Sequence, residues 1–122
     1  TVDHFMRTGI ITVNQNRGIN ECVSRMQHHN VDTLLVVDEN RRYQGTVSIA
    51  DIRLTGHVVK TIGPLVRCAT PTVHVGDNAK ECFEQLISSG FPYLVVLKED
   101  ETVAGIVTKT SMASAMAEQL WG

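Results

Sequence analysis

Apolar and polar positions change period repeatedly along this chain, and each change predicts an element. Residues 10–13 form a short β-prone run. Ile19, Cys22, Val23 and Met26 then recur at i, i+3, i+4 and i+7, one face of a helix. An apolar run at 33–37 predicts a buried strand, a polar turn follows at 38–42, and 43–47 returns as a second strand. Ser48 opens a short helix that reaches about residue 53. The sequence then runs through the same series again. Thr72 and Val73 open it, and Ala79, Cys82, Phe83, Leu86 and Ile87 mark a helix face. Residues 93–97 predict a strand, 98–101 a turn, 102–107 a strand, and 108–120 a final helix. Asn78 with Glu81 has the spacing of a capping box, while its counterpart, Gly18 with Glu21, is a weaker cap.

The two series are offset by 60 residues without a gap. Arg7 meets Arg67, Thr12-Val13 meets Thr72-Val73, Glu21-Cys22 meets Glu81-Cys82, and Gly45 meets Gly105. A duplication of this length predicts two copies of one supersecondary unit, each β-α-β-β-α, with helices covering one face of a hairpin sheet. The expected class is α+β, the two copies packed with pseudo-twofold symmetry. The first copy, with its leading segment and connector, spans 1–60, and the second spans 61–122. Residues 54–66 contain Gly56, Gly63 and Pro64 and predict a connector with one helical turn.

Composition narrows the function. At 122 residues the chain fits one compact domain, and either half alone would be short of core. The net charge is −2 with no basic run, so nothing draws the surface to a nucleic acid polymer or to anionic lipid. The longest apolar runs, at 34–37 and 94–97, are four residues, far too short to span a membrane. No signal peptide is expected. The chain starts at Thr1 rather than Met, which predicts a piece of a longer polypeptide. Cys22, Cys68 and Cys82 lack metal-ligand spacing. Cys22 and Cys82 fall on equivalent apolar helix faces, where core packing in a reducing compartment is the expectation. The five histidines have no ligand spacing either, and His28-His29 suits a helix C-terminus. No acid/base pair, activated nucleophile or phosphate-gripping glycine loop is visible, so the chain is expected not to be an enzyme and to carry no cofactor or metal.

Chemistry concentrates where the hairpins end, in GTVSIAD at 45–51 and GIVTKTS at 105–111. Ser48 and Thr108 stand where strand becomes helix, a place that can receive a phosphate. Asp51, one turn on, suits ribose hydroxyls, although Ser48-x-x-Asp51 is equally a plain capping box.

These segments, with the duplication, resemble a tandem pair of CBS domains, a Bateman module, over nearly the whole chain. Such modules bind adenine nucleotides in clefts between repeats and regulate an attached enzyme, channel or transporter. By that resemblance Thr12, Ser48 and Asp51 would form one AMP or ATP site, and Thr72 and Thr108 the other. Ser111 stands where the pattern has a ribose-binding aspartate, which counts against a second site of the usual kind.

The chain is also similar to the regulatory tail of the ATP-binding subunit of glycine betaine, carnitine and choline ABC transporters of Gram-positive bacteria. Members of that group bind cyclic di-AMP across a module dimer. The resemblance implies a site made of Val31, Thr33, Tyr93, Ile106 and Lys109. Tyr93 would offer a face for adenine, Val31 and Ile106 apolar walls, Thr33 a hydrogen bond to the base, and Lys109 a phosphate contact where relatives carry arginine. It also implies a homodimer and an attached ABC ATPase domain. Through that ATPase it implies membrane subunits and a cytoplasmic position at the inner face of the membrane. Met112, Met116, Leu120 and Trp121 along the last helix, with the helix at 49–53, are the expected dimer contacts. Three readings stand at this point: a cyclic di-AMP sensor of osmolyte uptake, a generic AMP or ATP sensor, and a structural dimerisation module with empty clefts.

Overall fold

The computed structural model describes residues 1–121, with side-chain surroundings for all of them but 56 and 119–121. The expected α+β series of two β-α-β-β-α repeats is present. The first repeat is β1 (Thr12–Asn14), α1 (Ile19–His29), β2 (Thr33–Val37), β3 (Tyr43–Ser48) and α2 (Ile49–Thr55). The second is β4 (Thr72–His74), α3 (Ala79–Ser89), β5 (Tyr93–Leu97), β6 (Val103–Thr108) and α4 (Lys109–Trp121). Each repeat has a three-stranded sheet rather than a bare hairpin. β1 lies parallel to β2, with α1 as the crossover, and β2 pairs antiparallel with β3; β4, β5 and β6 repeat this. The register repeats too, with Thr33 opposite Ser48 and Tyr93 opposite Thr108.

Boundaries moved where ladder bonds decided them. The first strand begins at Thr12 rather than Ile10, although the carbonyl of Ile11 still accepts from the Leu35 amide at 3.3 Å. The connector forms two 3-10 turns, Gly56–Val58 and Gly63–Leu65, where one turn was expected, the second with Pro64 at its start. Asn78 caps α3 through a 3.0 Å bond from the Glu81 amide, whereas Gly18 offers α1 no side-chain cap. Asn30 and Gly90 end the crossover helices in left-handed conformation, and Arg41 and Glu101 take positive φ at the hairpin turns. The repeat therefore extends to backbone conformations that the residue identities do not share.

The contacts divide the chain into two compact units, and these differ from the sequence repeats. One is Ile11–Ala69; the other joins Thr1–Ile10 to the chain from Thr70 onward. In the discontinuous unit, Val2 is fully buried with Phe83, Leu86, Leu94, Val96 and Val107, and Phe5 lies 5.9 Å from Phe83, ring to ring. Arg7 joins the outer edge of β6 there, exchanging bonds of 2.8 and 3.0 Å with Ile106. In the contiguous unit, Val13, Cys22, Leu34, Val36, Val47 and Ile62 form the core. Arg67 joins the edge of β3 there, exchanging two 2.8 Å bonds with Thr46.

These edge contacts explain the duplicated glycines. A Cβ at Gly105 would stand 2.4 Å from the Arg7 carbonyl oxygen. One at Gly45 would stand 2.4 Å from that of Arg67, and Gly45 also has φ +143°. Only a residue without a side chain lets the edge segment lie so close.

Candidate functional site

In the discontinuous unit the expected residues gather on one sheet face. Tyr93 and Thr108 are register partners, Val95 pairs with both Ile106 and Thr72, and alternation turns these residues away from the face that packs Leu94, Val96 and Val107. Tyr93, Ile106 and Thr108 are half-buried, Thr72 is exposed, and Lys109 follows at the exposed first position of α4. Thr108 and Ser111 make a reciprocal cap: Thr108 Oγ1 accepts from the Ser111 amide, and Ser111 Oγ accepts from the Thr108 amide, each at 3.2 Å. Ser111 is buried, so the position that lacks a carboxylate is closed by its own helix cap.

In the contiguous unit, Thr12, Thr33 and Ser48 share the corresponding face, with Thr12 beside Leu35 and Thr33 opposite Ser48. Arg25 donates to the Thr12 carbonyl at 2.9 Å, which pins the edge strand. Thr33 donates to Asp32 at 3.2 Å. Val31 follows the left-handed Asn30, is 38% exposed, and donates its amide to the Met26 carbonyl at 2.9 Å.

Ser48 Oγ accepts from the Asp51 amide at 3.2 Å, so half of the anticipated capping box forms. The Asp51 carboxylate meets the Ser48 side chain only as a minor contact. It is held by Arg67, Nε donating to Oδ2 at 2.8 Å and Nη2 to Oδ1 at 3.0 Å. Hydrogen bonding from that guanidinium, with its charge, holds the Asp51 carboxyl below its ordinary value. Arg67 was missed as a site residue, although its identity with Arg7 was part of the repeat. Nothing in sequence spacing relates it to a carboxylate sixteen positions earlier.

Other features resolve simply. Cys22 and Cys82 are buried core residues, and burial pushes the Cys82 thiol up to about 11, with Asp77 and Glu81 adding to it. Cys68 is exposed, its Sγ donating to the Gln44 carbonyl at 2.8 Å. Among the described residues no group of three His, Cys, Asp or Glu is placed to hold a metal, and no helix is long and apolar enough to cross a membrane.

The anticipated apolar stripe on α4 is divided. Met112 packs against the core, while Met116 is 55% exposed; Leu120 and Trp121 lie outside the described side chains. Met116 instead joins Ile87 and Phe5 around a groove of about 230 Å³ between α3 and α4.

Comparison with known proteins agrees with the fold. The choline transport ATP-binding protein OpuBA of Bacillus subtilis is 28% identical over 121 residues, which are 99% of this chain and 32% of the relative. The chain thus spans about a third of the length of the curated relatives that it matches first. Staphylococcus aureus OpuCA superposes with a TM-score of 0.84 at 20% identity, covering 95% of this chain and 98% of that one. CbpB, solved in complex with c-di-AMP, also gives 0.84, at 17% identity over 98% of this chain and 85% of its own. The model of the CBS domain family matches residues 2–55 and 60–118, and the chain belongs to that family as a tandem pair of CBS domains.

Proposed function

We propose that the chain is a non-enzymatic regulatory module of an ATP-binding subunit for osmolyte transport (glycine betaine, carnitine or choline), and that its ligand is cyclic di-AMP, bound by a homodimer. The observation that carries this reading is the shared face of Tyr93, Ile106 and Thr108, followed directly by Lys109. A half-buried aromatic ring at a strand start can stack on adenine, and an exposed ammonium beside it can meet a phosphate. The reading also includes Val31, an exposed apolar side chain, and Thr33, a hydroxyl, both of the contiguous unit. The likeness to OpuBA sequences and to c-di-AMP-bound CbpB supports the same reading. A ligand with its own twofold axis matches a symmetric dimer, one ligand for two chains. The parent ATPase would hold the module at the cytoplasmic face of the membrane beside its transport subunits.

Calorimetry tests it. Tyr93→Ala should weaken cyclic di-AMP through lost stacking, and Lys109→Ala should weaken it more at low salt than at high salt. Asp51→Ala should change little. Asp51 proving essential and Tyr93 dispensable would transfer the assignment to AMP or ATP, with Thr12, Ser48 and Asp51 as one site and Thr72 and Thr108 as the other.

A further inference from the structure

We infer that Arg67 is a specificity residue: its guanidinium occupies the Asp51 carboxylate and so withholds it from the 2′,3′-cis-diol of a mononucleotide. This rests on reading the chain as an adenine-nucleotide sensor. Asp51 is the carboxylate at the end of the hairpin whose two oxygens suit a ribose diol. Both oxygens are taken side-on, at 2.8 and 3.0 Å, by Nε and Nη2 of one planar fork. A carboxylate receives such a fork on the same two in-plane lone pairs that a cis-diol would need for its two O–H donors. The diol must therefore displace a cationic donor fork with two neutral donors.

Arg67 is well placed to hold this position. Its backbone is fixed to Thr46 by two 2.8 Å bonds, and Gly45 lets it lie against β3. The Asp51 side chain is 17% exposed and that of Arg67 71%, so the guanidinium covers the carboxylate from the solvent side. The other unit reaches the same end differently. Ser111 stands at the equivalent position, buried and engaged with Thr108, so no carboxylate is offered there. One unit has its diol acceptor occupied and the other has none. A cyclic dinucleotide joined 3′ to 5′ has its 3′ oxygen esterified and brings no cis-diol, so neither change penalises it. The pair thus discriminates by rejecting AMP and ATP.

The test titrates wild type, Arg67→Gln and the double variant Arg67→Gln/Asp51→Asn with AMP, with 3′-deoxy-AMP and with cyclic di-AMP. The expected result is a gain in AMP affinity of about two- to fivefold in Arg67→Gln. That gain should vanish with 3′-deoxy-AMP and in the double variant. AMP affinity that is unchanged or lower in Arg67→Gln, or a gain that survives removal of the 3′ hydroxyl, overturns the inference. Melting curves check the fold, and Arg67→Lys, which keeps the charge without the fork, should show a smaller gain. A wild-type chain giving no heat with cyclic di-AMP, while Arg67→Gln gains AMP, overturns the proposed ligand and leaves the role of Arg67 standing.

Discussion

Replacing Gly105 by alanine tests whether the edge contact of the N-terminal segment is as close as described. The added methyl would lie 2.4 Å from the Arg7 oxygen and 3.1 Å from the side chain of Met6. Carbon and oxygen normally approach no closer than about 3.3 Å, so the segment must retreat by about 1 Å. The Arg7–Ile106 bonds, at 2.8 and 3.0 Å, would then exceed hydrogen-bonding range. Two such bonds contribute about 2 kcal/mol net, and overpacking without retreat costs a similar 1–3 kcal/mol, roughly. The chain takes whichever is cheaper, and alanine restrains the unfolded state by about 0.5 kcal/mol in return. The expected net loss is about 1.5 kcal/mol, which lowers Tm by roughly 4–9 °C for a chain of this size. Circular dichroism melts and urea titrations measure it, with amide exchange at Ile106 as the local report. Gly76→Ala is the control, because nothing lies within 4 Å of its added methyl. It should stay within about 0.5 kcal/mol of the parent. A Gly105→Ala chain melting at or above the parent temperature would refute the reasoning.

Three further outcomes are expected. At pH 8 a maleimide should label Cys68 rapidly and leave Cys22 and Cys82 untouched until denaturant is added, because burial raises both thiols; equal labelling of all three would contradict that burial. Carboxyl NMR should place the Asp51 midpoint below its ordinary value and move it up in Arg67→Gln. Because the folded value is depressed, the pair's stabilisation is present above the unfolded carboxylate pKa of about 3.9 and is lost as pH falls through the folded one; an unmoved midpoint in the variant would sink this. Ile87→Glu with Met116→Glu should give monomers by light scattering, since both side chains are exposed beside the α3–α4 groove. Met112 is unsuitable for that test because it packs in the core, and an unmutated chain that stays monomeric at high concentration would count against the dimer.

Local elements were largely legible because their signals are local. The i, i+3, i+4 face of Ile19, Cys22 and Met26 and the run at Leu34–Val37 each bury in one compact unit, so periodicity sufficed. The face holding Tyr93, Ile106 and Thr108 followed from alternation once the hairpin register was known. What escaped was non-local. The parallel pairing of β1 with β2 crosses a helix, the Arg67–Asp51 fork spans a connector, and Met112 turns inward by packing that its spacing with Met116 does not encode.

The N-terminal segment joins a unit whose other strands begin only after Thr70, with consequences for the order in which a growing chain folds. The stretch Ile11–Ala69 is continuous, and its contacts are all available once Ala69 has left the ribosome. Val2 and Phe5 must wait for Phe83, and Arg7 for Ile106, until the second repeat has been made. At about 5–20 residues per second, the apolar N-terminus stays unsheltered for several seconds. Nascent chains arrested after Ala69 has emerged, but before the second repeat has, should resist protease over 11–69 and be cleaved within 1–10. Within the pair, residues 1–10 are made before every strand they pack with and settle only after the last of them.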